Sequence, residues 1–509
     1  DKGYNDGAGN PPNPDGLMTD YLWKDILAKL KLSRIIENYA QVVVEEDPET
    51  KKKSVKQIFP RYHQLDCVEK LLADVKENGI GKRYLIQHSA GSGKSNSISW
   101  LAHQLIGLEQ DGHPMIDSVL VVTDRRILDK QIRDNIKQFM QVANTVAWAE
   151  HSGDLRKAIQ DGKRIIITTI EKFPYVVPDI GASHKQNRFA VIIDEAHSGQ
   201  SGRNSAQMNL ALSGLASEDE MDNEDKINAM MEGRKLLTNA SYFAFTATPK
   251  NKTLETFGVP YQDGDDVKHR PFHVYTMKQA IQEGFILDVL KYYTPIASYY
   301  KLMKTVQDDP MFDKKRAQKK LRSFVESDSY TIAQKAEMMV EHFHEQVIAK
   351  GKIGGQARAM VVSSSIPRCI EYYYAINKCL ANRHSPYKAI VAFSGEHKYQ
   401  GQEPALTSAA INGFPDAKIP ATFKTDPYRL LIVADMFQTG FDEPLLHTMY
   451  VDKMLYDIRA VQTLSRLNRC HPQKHDTFVL DFFNKPAMIE EAFSRYYRTT
   501  LLSGETDPN

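Results

Sequence analysis

The sequence predicts an α/β protein with two parallel sheets in tandem. Three observations carry this. Short β-branched runs alternate with helical patterns and do so twice along the chain. A Gly/Ser-rich loop, Ser89 to Ser95, sits between the first such run and a helical pattern. An apolar run, Val191-Ile192-Ile193, ends in two adjacent carboxylates.

The 509 residues exceed what one hydrophobic core holds and imply two to four domains. Composition is that of a globular protein, 42% apolar and 25% charged. No apolar run approaches the length of a membrane span. The start, Asp1-Lys2-Gly3-Tyr4, has no apolar leader, so a cytoplasmic protein without membrane association is expected. A net charge of +1 excludes a uniformly basic surface and leaves room for a local basic track. Cys67, Cys369, Cys379 and Cys470 form no C-x-x-C pair, so buried reduced thiols are expected rather than a zinc site.

In chain order, residues 1–57 read as a linker and a docking helix. Residues 1–16 are rich in Gly, Asn, Pro and Asp, and Leu22, Trp23, Ile26, Leu27 and Leu30 recur at helical spacing. The charged stretch from Glu45 to Lys53 contains Pro48 and reads as an exposed turn. Residues 58–262 form the first α/β domain, with strands at 84–86, 119–122, 165–167, 191–193 and 242–245. Residues 263–488 form the second, with strands at 360–362, 389–391, 431–433, 449–451 and 478–480. Acidic, Met-rich residues 213–235 read as an inserted helix or loop. Residues 301–345 read as a helical insertion ahead of the second sheet. Residues 489–509 read as the start of a C-terminal helical region.

The loop Ser89-Ala90-Gly91-Ser92-Gly93-Lys94-Ser95 follows a strand and precedes a helix, the setting in which backbone N–H groups cradle phosphates. Lys94 would reach the β- and γ-phosphates of ATP, and Ser95 would hold Mg²⁺. A strict phosphate loop has Gly where His88 stands. At the end of the strand Val191-Ile192-Ile193, Asp194 would hold Mg²⁺ and Glu195 would activate the attacking water. Read alone, Asp194-Glu195-Ala196-His197 could also be an ordinary helix start. Gln462, Arg466 and Arg469 share one face if the pattern is helical, and an arginine there can stabilise a transferring phosphoryl group. Read alone, that face is more often a solvated basic surface. Tyr372-Tyr373-Tyr374 reads as a packed helix face rather than a base-stacking platform.

Together these elements resemble helicase superfamily 2, with its two tandem RecA-like domains. Gln64 in Phe59-Pro60-Arg61-Tyr62-His63-Gln64 resembles the adenine-reading Gln, with Arg61 beside it. Thr246-Ala247-Thr248-Pro249 resembles the motif coupling nucleotide to nucleic acid, a role shared by His197. Thr439-Gly440-Phe441-Asp442 resembles the motif that sees both, through Gly440 and Asp442 on the nucleotide side. Within the superfamily, the wording is closest to the restriction subunit of Type I restriction–modification enzymes. His88 to Ser95, Val122 to Asp129, Asp194 to Gly199, Phe245 to Lys250, Tyr275 to Ala280 with Glu283-Gly284, and Gln462 to Arg469 carry that likeness. One departure from the superfamily is Ser465, where Gly is usual.

The resemblance implies an ATP- and Mg²⁺-dependent translocase on double-stranded DNA that works with methylase and specificity subunits. DNA-backbone contacts are expected from Thr123, Arg125, Arg126, Thr168 and Thr169, and from Ser363, Ser364, Ser365, Ser394, Gly395 and Thr439. These are positions after sheet strands, where ligands of parallel sheets bind; each alone is equally a plain loop residue. The family's nuclease and C-terminal helical domains are expected to be missing here. Asp74-Val75-Lys76 and Asp416-Ala417-Lys418 match the nuclease spacing only by chance. An unwinding helicase and a nucleotide-gated scaffold without turnover are the competing functions.

Overall fold

The computed structural model describes residues 5–46, 53–123, 146–149, 151–169, 186–194, 239–296, 332–398, 405–438 and 441–497. The chain divides into two compact units, Asp1–Glu283 with Tyr496–Asn509, and Gly284–Arg495.

In the first unit, α1 (Lys29–Asn38) leads into an antiparallel hairpin of β1 (Gln41–Glu46) and β2 (Lys53–Ile58). Then come α2 (Tyr62–Asn78), β3 (Arg83–His88), α3 (Lys94–Ile106), β4 (Ser118–Thr123), β5 (Val146–Trp148), α4 (Ser152–Gln160), β6 (Ile165–Thr169), β7 (Phe189–Asp194), β8 (Ala240–Thr246) and α5 (Asn251–Phe257). A second hairpin, β9 (Val259–Asp263) and β10 (Asp266–Arg270), precedes β11 (His273–Tyr275) and α6 (Met277–Gln282). The sheet order is β11-β3-β8-β7-β4-β6-β5, and every pairing in it is parallel.

Alternation along each strand explains why both faces are covered. Tyr84, Ile86, Val119, Val121, Ile165, Ile167, Ala190, Ile192, Phe243 and Phe245 pack with α2 and α3. Leu85, Leu120, Val122, Ile166, Val191, Ile193, Tyr242 and Ala244 pack with Leu155 and Ile159 of α4 and Leu254 and Phe257 of α5. Each fully buried large side chain contributes roughly 1.5–3 kcal/mol, which is why such runs cannot remain exposed.

The second unit contains β12 (Tyr293–Pro295), α7 (Ile332–His342), β13 (Arg358–Ser363), α8 (Ile366–Asn382), β14 (Lys388–Ala392), β15 (Tyr428–Val433), β16 (Leu446–Asp452), α9 (Asp457–Leu464), β17 (Phe478–Asp481) and α10 (Pro486–Tyr497) as far as Arg495. Its sheet, also parallel throughout, runs β12-β17-β16-β13-β15-β14.

The ten expected strands are all present, and several expectations need correction. The division falls after Glu283 rather than after Gln262, because β11 extends the first sheet beside β3. Within 301–345, the described part is core rather than insertion. Ala336, Met339, Val340 and Phe343 are buried against Ala359, Val361 and Leu480 of the sheet. Residues 213–235 and 301–331 lie outside the described residues. The N-terminal pattern forms a π-helical turn, Leu22–Ile26, and then α1. It buries Ile35 and Tyr39 and leaves Leu22, Trp23, Leu27 and Leu30 exposed. Among the cysteines, Cys67 and Cys369 are buried, but Cys470 is exposed. Among the described residues no helix is long and apolar enough to cross a membrane.

Candidate nucleotide and phosphoryl-transfer site

In the first unit, β3 delivers the loop Ser89–Gly93 to the N-terminus of α3. Gly91 and Gly93 take φ of 87° and 79°, a region closed to most side-chain-bearing residues. Such a glycine backbone lets N–H groups turn toward a bound anion, and the N-terminus of α3 adds its positive dipole end. Lys94, only 7% exposed, lies over the loop with Nζ 3.4 Å from the His88 carbonyl oxygen. Ser95 begins the same helix, one residue along. Ser89, Ala90 and Ser92 are buried.

The loop is held from two sides. From α2, the Gln64 amide donates to the carbonyls of Gly93 (3.1 Å) and Ser92 (3.4 Å), and its oxygen accepts from the Arg61 N–H (2.9 Å). Arg61 itself is exposed at the N-cap of α2. His63 Nε2 lies 3.2 Å from the Ser92 carbonyl oxygen. From β11, the Tyr275 carbonyl accepts from the Ser89 N–H at 2.9 Å.

The buried groups below the loop have assignable tautomers. Asp66 faces His273 Nε2 at 3.1 Å, and His273 Nδ1 faces His88 Nε2 at 2.8 Å. Since the carboxylate accepts, His273 donates from Nε2 and His88 donates from its own Nε2. Burial drives the His88 pKa well below the ordinary histidine value, with nearby His273, His63 and Lys94 adding to the shift. Cys67 lies close to both rings, but burial pushes its thiol well above the ordinary range, away from the thiolate a metal would need.

Asp194 ends β7, 4% exposed. Its register partner is Phe245 on β8, which in turn pairs with Ile86 on β3. Asp194 and the glycine loop therefore leave the same carboxyl edge of the sheet on either side of β8, as expected for parallel-sheet ligand sites. Thr246 ends β8, and its Oγ1 accepts from the Thr248 N–H at 3.2 Å; both threonines are buried. At the same edge, Thr123, Thr168 and Thr169 are buried, and their hydroxyls have no partner among the described residues. Arg125, Arg126, Glu195, His197, Thr439 and Gly440 lie outside the described residues.

In the second unit, the arginine pair differs from its expected geometry. Helix α9 stops at Leu464, a 3-10 turn spans Ser465–Asn468, and Arg469 is extended at φ −64°, ψ 129°. Arg466 and Arg469 therefore do not share a helix face. Arg466, 2% exposed, is held inside the unit by the carbonyls of Gln462 (3.1 Å) and Phe441 (3.2 Å). Arg469 instead reaches Asp442, with Nε 2.7 Å from Oδ1. Lys474, absent from the sequence reading, is 4% exposed and donates to the carbonyls of Leu446, Leu467 and Arg469 at 2.7, 2.7 and 2.9 Å. Burial pushes its pKa down to about 7.

Of the expected DNA contacts in this unit, Ser364, Ser394 and Gly395 are exposed. Ser363 is spent inside the fold, donating to the Val433 carbonyl at 3.0 Å, and Ser365 caps α8 through the Arg368 N–H. Tyr372 is buried with its hydroxyl on Asp452 at 2.6 Å, as a packing residue should be. His63, Tyr275 and Lys474 were the residues missed. His63 lies inside a motif singled out for its neighbour Gln64, Tyr275 lies inside a stretch that carried the family likeness but was given no role, and only the fold brings Tyr275 and Lys474 to the loops they hold.

Comparison with known proteins agrees with this geometry. The family model described as SWI2/SNF2 ATPase matches residues 63–322, just over half of the chain. A second, described as Type I restriction enzyme subunit R domain 3, matches residues 416–484. The chain is 25% identical over 481 residues to the Type I restriction enzyme HindI endonuclease subunit of Haemophilus influenzae, covering 88% of this chain and 42% of that protein. It is 26% identical over 444 residues to the SsaAORF53P endonuclease subunit of Staphylococcus saprophyticus, covering 80% and 42%. The chain thus spans about two-fifths of these relatives. Its fold is similar to a fragment described as an HsdR subunit of a type I restriction enzyme from Vibrio vulnificus, with TM-score 0.51, 13% identity and coverage of 95% and 82%. It is also similar to the ATP-dependent Type ISP restriction-modification enzyme LlaBIII bound to DNA, with TM-score 0.50, 14% identity and coverage of 86% and 29%.

Proposed function

The chain belongs to the SWI2/SNF2 ATPase family, and from that premise we propose that it is the ATP-driven motor of a Type I restriction enzyme's R subunit, moving along double-stranded DNA. The observation that carries this reading is the glycine loop on the N-terminus of α3, with Lys94 buried over it and Asp194 at the same sheet edge. Similarity to restriction endonuclease subunits along most of the chain supports the biological setting. DNA cleavage, and assembly with methylase and specificity subunits, belong to the whole protein and are part of the proposal.

The residues divide the work as follows. Loop backbone N–H groups other than those of Ser89 and Ser92, which are bonded within the fold, hold the β- and γ-phosphates together with the Lys94 ammonium. The amide oxygen of Gln64 keeps one lone pair beyond its bond to Arg61 N–H, which suits the adenine amino group. The Ser95 hydroxyl and the Asp194 carboxylate are hard oxygen donors of the kind Mg²⁺ selects. That ion would neutralise charge on the transferring phosphoryl group. Glu195 takes the proton of the attacking water. Arg469, more accessible than Arg466, meets the developing charge, and Arg466 braces the turn that carries it. Contacts to DNA go to its backbone, because a motor must ignore sequence.

The test is ATP turnover by the full chain with duplex DNA, single strands or RNA. Stimulation by duplex alone supports the translocase. Equal or greater stimulation by single strands or RNA indicates an unwinding helicase, and ATP binding without turnover indicates a scaffold. Glu195→Gln should bind ATP normally and turn over none; residual turnover would remove Glu195 as the base.

A further inference from the structure

The segment from His273 to Glu283 has no part in the roles above, yet it reaches the phosphate loop through side chains. The Tyr275 hydroxyl donates to Glu283 Oε2 at 2.7 Å. Its ring lies flat on the His63 ring, with centroids 3.6 Å apart and planes within 3°. His63 Nε2 faces the Ser92 carbonyl oxygen at 3.2 Å. The carbonyl can only accept, so His63 carries its proton on Nε2 and donates. At the far end, Asn5 Nδ2 donates to Glu283 Oε1 at 3.0 Å. Gln279 Nε2 donates to the carbonyls of Asn5 and Asp6 at 3.0 and 3.1 Å.

We propose that Glu283, Tyr275 and His63 are positioning residues for ATP, acting in series on the Ser92 carbonyl to keep the phosphate loop open toward its ligand. A loop that cradles phosphates must point its N–H groups inward and its carbonyls outward, because an inward carbonyl would repel the anion. Ser92 precedes Gly93, whose left-handed backbone makes that peptide easy to flip. The His63 donor, beside the longer Gln64 amide contact, holds the carbonyl outward, the Tyr275 ring fixes the plane of His63, and Glu283 fixes Tyr275. Burial lowers the His63 pKa to about 3, so the ring stays neutral and its single donor keeps its direction at working pH. The docked Asn5–Gly7 segment grips the same Glu283, so it buttresses the outer end of the series.

This inference rests on ATP occupying the loop at Lys94. The test measures the affinity of a fluorescent ATP analogue and the KM and kcat for ATP in the full chain, using Tyr275→Phe, Glu283→Gln, His63→Ala and the double variant Tyr275→Phe/His63→Ala. Tyr275→Phe keeps the ring stack and loses one hydrogen bond. It should weaken ATP binding and raise KM by about two- to tenfold, leaving kcat within about twofold. His63→Ala should have the larger effect. In its background Tyr275→Phe should add nothing, because a series broken at His63 cannot be broken again. His63→Gln, which can offer an amide donor to Ser92, should recover part of the affinity. Equal ATP affinity in wild type, Tyr275→Phe and Glu283→Gln overturns the proposal, as do additive effects in the double variant. If His63→Ala does not fold, Tyr275→Phe and Glu283→Gln decide it alone. A wild-type chain that binds no ATP fails the functional reading instead, which Lys94→Ala, expected to weaken binding by at least about tenfold, serves to calibrate.

Discussion

Arg469 Nε lies 2.7 Å from Asp442 Oδ1, joining two motifs of the second unit that are far apart in sequence. Burial would raise the Asp442 pKa, but the charges of Arg469 and Arg466 outweigh it and hold the carboxylate below its ordinary value. The Asp442 side chain is 45% exposed, so the pair itself contributes on the order of 1 kcal/mol or less. Asp442→Asn should therefore leave the melting temperature nearly unchanged. Arg469→Ala, by contrast, should lower kcat by about 10³-fold or more if Arg469 meets the phosphoryl group. ATP affinity should change little. Single-turnover hydrolysis with duplex DNA checks this, and a kcat within tenfold of wild type would exclude Arg469 from that role.

Lys94→Ala should reduce ATP affinity by at least about tenfold, since a charge-assisted contact to phosphate is worth roughly 1.5–3 kcal/mol. Equilibrium titration with a fluorescent nucleotide measures it. Affinity within twofold of wild type would mean that the loop does not hold the triphosphate.

Lys474 binds the carbonyls of Leu467 and Arg469, which bracket the turn end carrying the arginine, and ties them to Leu446 of β16. An ammonium has three protons for three acceptors, whereas a neutral amine has two. As pH rises through about 7, the turn should lose one tether. The expected result is a kcat that declines on the alkaline side with an apparent pKa near that value, and a Lys474→Met variant with lower kcat and no such limb. Superimposable profiles for the two proteins would show that Lys474 does not govern the turn.

How much of this was legible depended on whether local pattern or tertiary partner decides each element. Val119 to Val122 announce a strand because both faces are buried, leaving no alternation to misread. The glycine loop was legible because its chemistry is contiguous, from Ser89 to Ser95. By contrast, β11 is three residues long and exists because β3 offers it an edge, so nothing local marked it. The arginine motif had helical spacing, yet the helix tightens to a 3-10 turn at Ser465 and releases Arg469 into an extended backbone. Spacing alone could not show this, because both conformations keep Arg466 near Gln462. The N-terminal stripe held only in part: Ile26 packs against the core and Leu22 and Trp23 stay exposed, while Ile35 and Tyr39 supply the buried contact.

Buried neutral histidines should make the protein acid-labile in a defined window. Burial is the leading cause of depressed pKa values for His63 and His342, both about 3, and for His88. His342 is fixed inside the second unit, 2.8 Å from the Tyr450 hydroxyl and stacked on Phe478. An unfolded histidine takes up its proton near pH 6.5, whereas folded His63 and His342 do so only near pH 3. Between those values the unfolded chain holds more protons, so stability is fully present above the unfolded pKa and is lost as pH falls toward the folded one. Each such histidine should remove up to about 1.4 kcal/mol per pH unit inside the window. Urea unfolding of each unit at pH 7.5 and pH 5.5 measures the difference. His342→Phe, which retains an aromatic ring against Phe478, should flatten the pH dependence of the second unit while lowering its stability at pH 7.5 through loss of the Tyr450 bond. An unchanged slope in that variant would show that His342 is not one of the groups that titrate.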